Sequence, residues 1–326
     1  MKRRTITLLP LGLALAAPFL VRAQTQRIVR IAWPASVPIH QWPLYAVFVE
    51  AMRERGWVEG THYIVDATSY GGQAERIPAA VAEALARKPD LIIGSGSQAM
   101  RALMAAKTPL PIVMFNASTP VEQGFVASLS RPGGNVTGIV SFDEGILGKQ
   151  FDMLLRAAPA ARRIGVAYNP DIPLHLLALR DVEASALRRG LQVRPVTMRS
   201  SAEIGATVDT LQRERVDAVH FFLQPWLVSG DVASLAAIAV QQRWPTALSL
   251  PPQAQAGILL TYGFRQEDQL RRLAYYVDRI MRGTPPGDLP VEQPTRIYLA
   301  LNLKTARALG LTLPQSLLAM ADEVME

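Results

Sequence analysis

The sequence contains no cysteine. That excludes disulfides, thiol nucleophiles, cysteine-held metal centres and a lipid-modified N-terminal cysteine. Histidine is scarce: His40, His62, His175 and His220 are the whole set. No two of them stand at HxH or HxxxH spacing and none lies near an acid at ligand spacing, so a zinc-type site has no local signature. His62 and His220 fall at or within predicted strands and read as structural, while His40 and His175 fall beside loops that follow strands. There is also no block of like charge. Arg162-Arg163 and Arg271-Arg272 are short pairs that read as solvated faces. No GxGxxG, Walker loop or GxSxG elbow occurs. After the first two dozen residues no apolar run approaches the roughly 20 residues a membrane span needs.

What is present begins with the N-terminus. Lys2, Arg3 and Arg4 precede an apolar stretch from Ile6 to Val21, interrupted by Pro10 and Pro18. Val21-Arg22-Ala23 then places small residues at −3 and −1 of a cleavage site, the pattern of a secretory signal peptide over residues 1–23. Either the general or the twin-arginine export route fits. The expected location is the periplasm. Lys2, Arg3, Arg4 and Arg22 leave with the leader and no acid does, so a formal charge of +7 falls to +3. A charge of that size spread over a chain this long does not point to nucleic acid. With 49% hydrophobic residues the chain has material for a real core.

Short apolar runs alternate with amphipathic stretches along the rest. Strands are predicted at 28–33, 62–67, 90–93, 111–115 and 136–141, with helices at 44–55, 74–87, 98–107 and 121–129. The cycle repeats with helices at 144–157, 174–189, 202–215, 231–243 and 265–282 and strands at 163–168, 191–197, 217–222, 246–249 and 258–262. A strand at 295–301, a helix at 302–309 capped by Asn302, and a final helix at 314–324 complete the reading. Strands of four to seven residues alternating with longer helices mean βαβ units and parallel sheets. The strands are nearly continuous in Ile, Val, Leu and Phe, which suits sheets covered on both faces. Two rounds of about five units predict an α/β protein of two doubly wound, Rossmann-like lobes. Residues 24–139 with about 264–288 form the first lobe, and 140–263 with about 289–326 the second.

In such sheets a ligand sits beyond the carboxyl ends of the strands, at a topological switch point. The residues there are the candidate contacts: Trp33 and Ser36, then Ser95, Ser97 and Gln98 around the Gly94-Ser95-Gly96-Ser97 turn, then Asn116, Ser118 and Thr119. The second round adds Tyr168, Asn169 and Asp171, Gln224 of Gln224-Pro225-Trp226, and Ser249 and Tyr262. Glycine in the Ser95 turn lets backbone N–H groups approach a ligand, and the helix start favours an anionic group. Hydroxyls, amides and aromatics suit hydrogen-bonded recognition of an organic solute. No nucleophile–base or acid–base pair is apparent. The expectation is a binder and not an enzyme, with no catalytic residue, metal or cofactor.

Several segments carry a resemblance: Arg53-Glu-Arg-Gly-Trp-Val-Glu-Gly60, Ser130-Arg-Pro-Gly-Gly-Asn-Val-Thr-Gly138, Tyr168-Asn169-Pro170, Leu289-Pro-Val-Glu-Gln-Pro-Thr295 and Asn302-Leu-Lys-Thr-Ala-Arg-Ala-Leu-Gly-Leu311, with Pro314 to Val324 at the end. Across almost the whole chain the sequence resembles the substrate-binding proteins of ABC importers of the tryptophan/tyrosine type, with a periplasmic binding protein type I fold. The resemblance implies two lobes that close on a small ligand by hinge motion, a monomer, and an ABC permease in the inner membrane as partner. A ligand-sensing protein that docks on a membrane signalling receptor is the alternative. Two departures stand out. Ser118-Thr119-Pro120 replaces a Thr-Asp-Pro pattern, and Leu223-Gln224 replaces an Asp-Asn pair. An amino acid, an aromatic solute and a carboxylate-bearing solute all remain open.

Overall fold

The computed structural model describes residues 27–141, 145–224, 226–227 and 232–326. The predicted signal peptide, Pro225 and the first residues of the helices expected at 144 and 231 lie outside them.

The first sheet contains β1 (Val29–Ala35), β2 (Tyr63–Ser69), β3 (Leu91–Ser95), β4 (Ile112–Ala117) and β5 (Val136–Val140), all parallel, in the order β2-β1-β3-β4-β5. Alternate residues point to opposite faces of a strand, and both faces here are covered. Ile31, Trp33, Leu91, Ile93, Val113 and Phe115 join Phe48 and Met52 of α1 (Tyr45–Arg53). Ala32, Ile92, Ile112 and Met114 turn the other way, onto α2 (Ile77–Ala86) and α3 (Gly96–Ala105). This is why the strands read as unbroken apolar runs. Each fully buried Ile, Leu or Phe contributes about 1.5–3 kcal/mol.

The second sheet holds β6 (Arg163–Tyr168), β7 (Gln192–Thr197), β8 (Ala218–Phe221), β9 (Thr246–Leu248), β10 (Leu260–Gly263), β11 (Tyr298–Asn302) and β12 (Glu323–Met325), ordered β7-β6-β8-β9-β10-β11-β12. Its first five strands repeat the winding of the first sheet. Only β11 runs antiparallel to its neighbour β10. The helices α4 (Ile146–Ala157) and α5 (Pro173–Arg188) cover one face, and α6 (Ile204–Arg213) and α7 (Val232–Gln241) the other. The short α8 (Pro251–Gln255) follows β9.

The chain passes between the sheets after Ser141, after Gly263, and once more before Tyr298. After the second passage α9 (Gln266–Met281) returns to the first lobe, where Leu270, Leu273, Ala274 and Val277 enter the core around Trp33. The chain then stays with the first sheet longer than the expected boundary at 288/289. Thr137 Oγ1 donates to Leu289 O at 2.6 Å, Val291 N–H donates to Leu129 O at 2.7 Å, and Glu292 bridges to Ile139. These backbone groups would be orphaned if the chain crossed earlier. Arg272 of α9 grips the Glu292 carboxylate with Nε and Nη2. The crossing therefore begins after Glu292.

One predicted helix is absent and another is cut short. Residues 121–129 form consecutive turns. Gly124 takes φ +71, and Phe125 N–H reaches back to Pro120 O while Phe125 and Val126 bury themselves. The final helix stops after one turn, α11 (Gln315–Leu318). Asp322 then pairs with Leu299 through both its N–H (2.9 Å) and its carboxylate (2.9 Å), and the remaining residues become β12. In both places tertiary pairing outweighs local periodicity. The Asn302 cap is present: its Oδ1 accepts from Thr305 N–H at 2.8 Å at the start of α10 (Leu303–Ala308), and its Nδ2 donates to Ala254 O at 2.7 Å. Asn302→Ala is expected to lower stability by about 1–2 kcal/mol, readable as a fall in the urea midpoint at unchanged slope.

Candidate functional site

Each lobe has one switch point, between β1 and β3 and between β6 and β8. The chain leaves those strands in opposite directions, so the loops beyond their carboxyl ends part and leave a crevice. A cavity of about 200 Å³ lies there. That is room for several waters or for one small organic molecule. Its walls come from both lobes. Ser36, Ser95, Gly96, Ser97, Gln98 and Asn116 stand on one side, and Asp171, Pro173, His175, Leu223 and Gln224 on the other. Trp42, Tyr70, Phe115 and Phe264 add aromatic surface.

The first-lobe wall is braced before any ligand arrives. Trp33 is fully buried, meets Phe48 and Phe115 edge-on, and donates its indole N–H to Ser95 Oγ at 2.7 Å. Ser97 Oγ accepts Ser118 N–H at 3.0 Å. Gln123 Nε2 stands within reach of Ser97 Oγ, Ser118 O and Thr119 Oγ1, while Gln123 Oε1 accepts from Arg101 at 2.8 Å. These bonds hold a backbone that is uncommon for non-glycine residues: Asn116 has φ +57 and Thr119 φ +41, next to a bulge between Phe115 and Ala117. A β-branched residue with positive φ is a local strain.

The second-lobe wall depends on His175. Its Nδ1 accepts Asn169 N–H at 3.1 Å, so Nε2 carries the proton and donates to Leu223 O at 3.1 Å. Burial pushes its pKa down to about 4 against the opposing pull of those two backbone bonds, so the ring is neutral. It thereby ties the loop after β6 to the loop after β8. Below it, Gln150 of α4 accepts from His220 Nε2 at 2.9 Å and donates to Ser249 Oγ and Tyr262 O. Burial, with His175 nearby, pushes His220 down to about 3. Tyr70 on the opposite wall is pushed up to about 12 by burial and is hydrogen-bonded to Ser36.

Two of the residues lining the cavity each carry a buried polar atom without a partner: Asn116 Oδ1 in the first lobe and Gln224 Nε2 in the second. Gln224 is only 1% exposed, and its Oε1 accepts the Trp226 indole N–H at 3.1 Å. An indole can only donate, so the amide orientation is set and Nε2 is the free donor. Buried polar groups normally find partners, and a leftover donor and acceptor across one cavity are the mark of a site for a polar molecule. Among the described residues no three His, Asp or Glu side chains gather as metal ligands.

The family described as ABC transporter substrate binding protein matches residues 43–325 of this chain. The chain belongs to that family. Its members bind solutes without transforming them, so this substrate-binding protein is not an enzyme. A tyrosine-binding protein of Clostridioides difficile (strain R20291) is 23% identical over 264 residues, covering 81% of this chain and 75% of that one. Among solved structures, an ABC domain from Streptococcus pneumonia in complex with L-Trp is 24% identical, covers 92% of this chain and 100% of its own, and superposes with a TM-score of 0.81. A conserved domain protein from Vibrio cholerae is 22% identical, covers 91% and 100%, and superposes at 0.82. These likenesses show the two-lobed α/β fold.

Of the residues singled out in the sequence, Trp33, Ser36, Ser95, Ser97, Gln98, Asn116, Ser118, Asp171 and Gln224 line the cavity of this substrate-binding protein. Trp33 is its floor and is locked into the core. Five others lie elsewhere. Thr119 turns its hydroxyl to Gln123. Tyr168 packs against the second-lobe core. Asn169 bonds the Asp171 N–H at 2.9 Å. Ser249 and Tyr262 meet Gln150. Sequence reasoning passed over Trp42, Tyr70, Arg101, Phe264 and Gln266. Tyr70 directly follows the end of β2, so the strand-end rule could have found it. Arg101 stands one turn beyond Gln98 on the same helix face. Phe264 and Gln266 belong to an interlobe passage and gave no local signal.

Proposed function

We propose that this substrate-binding protein is the extracytoplasmic receptor of an ABC importer, holding one small organic solute between its lobes and presenting it to a membrane permease. The observation that carries the reading is the pair of buried, unpartnered polar atoms, Asn116 Oδ1 and Gln224 Nε2, on opposite lobes of one partly aromatic cavity. A solute that meets both is stabilised only when the lobes are together, which couples binding to closure. The leader-like residues 1–23 support export, and the mature chain would start at Gln24. The tyrosine and L-Trp named for two relatives support a solute with an aromatic or apolar body.

The test is a thermal-shift screen of mature protein against amino acids, aromatic acids, nucleosides, sugars and dicarboxylates, followed by calorimetry. A ligand at 100 times its Kd adds about 2.7 kcal/mol, a rise of several degrees. Asn116→Gly, which suits φ +57, and Gln224→Ala are each expected to raise Kd at least about tenfold. The free variants should still unfold cooperatively: Asn116 Oδ1 has no partner to lose, and Gln224→Ala gives up one hydrogen bond, from the Trp226 indole. Unchanged affinity in both would move the site away from this cavity.

A further inference from the structure

We infer, resting on the reading that the interlobe cavity holds a solute, that the solute is a carboxylate with an apolar or aromatic body and no ammonium group. The first support is the charge balance of the wall. Its charged side chains are Arg101 and Asp171. Asp171 already faces Arg199, with Oδ2 3.5 Å from Nε. Arg101 is bonded to the neutral Gln123 Oε1, and among the described residues no carboxylate pairs with it. Among the described residues the wall therefore carries one positive charge with no carboxylate partner, and the carboxylate of Asp171 is engaged.

The second support is the direction of the hydrogen-bonding groups. Helix α3 opens on the cavity, and Ser95, Gly96, Ser97 and Gln98 all line it. The Ser95 side chain does not cap the helix, so the first N–H groups and the positive end of the helix dipole are available to an anion. Ser95 Oγ already accepts the Trp33 indole, which leaves its own hydroxyl proton to donate. Gln98 and Arg101 follow on one face of the same helix. The third support is independent of that helix: Gln224 Nε2, on the other lobe, is a buried donor whose orientation Trp226 fixes. Residues with free donors thus line the cavity from both lobes.

Among the described residues an ammonium group finds no equivalent. It brings three donors and, once desolvated, requires a charged or multiple-acceptor partner. The unpartnered buried acceptor on the wall is one neutral amide oxygen, Asn116 Oδ1. Among the described residues no hydrogen bond holds that amide in one orientation, so it can equally turn Nδ2 to a carboxylate.

The experiment is calorimetry of mature protein with matched triads of acid, amino acid and amine: hydrocinnamate, L-phenylalanine and phenethylamine; phloretate, L-tyrosine and tyramine; isocaproate, L-leucine and isopentylamine. In at least one triad the acid is expected to bind at least about tenfold more tightly than the amino acid, with no detectable amine binding. Arg101→Gln should weaken that acid at least about tenfold while its melting temperature stays near that of the parent, because Arg101 is exposed. An amino acid that binds as well as its acid, a bound amine, or an acid indifferent to Arg101→Gln overturns the inference. If all three triads fail while a sugar or nucleoside shifts the melting temperature, the carboxylate assignment falls and the receptor reading stands. If nothing binds in either experiment, both fall.

Discussion

Gly138→Ala is expected to destabilise the protein by about 4 kcal/mol or more, enough to prevent soluble expression. Gly138 sits in β5 at φ +132, a conformation that L side chains rarely adopt. A Cβ built there would lie 2.1 Å from Met114 O, 2.6 Å from Met114 N and 2.9 Å from Met114 C. These are backbone atoms of the neighbouring strand β4, paired with Gly138 in register, and cannot rotate aside. Relief would require opening the β4–β5 ladder and the Glu292 bridge beside it. Gly94→Ala is the contrasting case. Its Cβ would meet Met100 Sδ at 2.3 Å and Leu103 Cδ1 at 2.9 Å, the far ends of flexible side chains. Overpacking of that kind costs about 1–3 kcal/mol, and this variant should fold. Urea unfolding of both variants makes the comparison. A Gly138→Ala protein within about 1 kcal/mol of the parent would remove the close approach as a constraint on the lobe.

Acid should weaken the fold well before carboxylates protonate, because two histidines are buried neutral. His175 is pushed down to about 4 and His220 to about 3, from an ordinary value of 6.5. Their unfolded forms take up protons below pH 6.5 while the folded forms do not. Stability is therefore complete above pH 6.5 and declines as pH falls toward the folded values. The slope approaches about 1.4 kcal/mol per pH unit for each ring. Between pH 7 and pH 5 the pair should remove roughly 4 kcal/mol. Asp217 adds the same sign at lower pH: burial raises its pKa, but the Arg163 and Arg162 N–H bonds and the Arg163 guanidinium outweigh that and hold it below the usual range. Its contribution is lost below pH 3.8. Urea midpoints at pH 7, 6 and 5 check the prediction. His220→Gln, which keeps a donor for Gln150, should reduce the slope by about half. A midpoint that is level from pH 7 to pH 5 would show that the rings titrate in the folded protein. Solute affinity should hold through this window, since the folded His175 keeps its bonds to Asn169 and Leu223 until pH nears 4.

Much of the fold was legible because its causes are local. A buried parallel strand needs an unbroken apolar run, and β3, β4 and β6 each show one. Asn302 caps a helix by a bond within one turn. Where long-range contacts decide, local pattern misleads. The apolar spacing of residues 121–129 fits a helix, but Gly124 and the reach of Phe125 back to Pro120 make turns. Residues after 318 look helical until Asp322 finds Leu299.

The candidate site divides in the same way. By itself the sequence determined which residues end strands and what chemistry they carry: amides, hydroxyls and a helix opening on Gly96, with no cysteine for covalent work. Those follow from composition and period. Strand order is a tertiary property, and it decided which strand ends meet. The ends of β1/β3 and β6/β8 diverge to make a crevice, and the bulge in β4 brings Asn116 to the same cavity as Gln224, while Ser249 and Tyr262 are taken up by Gln150. Tertiary structure also decided which groups were already engaged: Ser97 by Ser118, Asp171 by Arg199 and Gln224 Oε1 by Trp226. A hydrogen bond between residues distant in the chain leaves no trace in either local sequence, and the polar atoms it leaves free define what the cavity can hold.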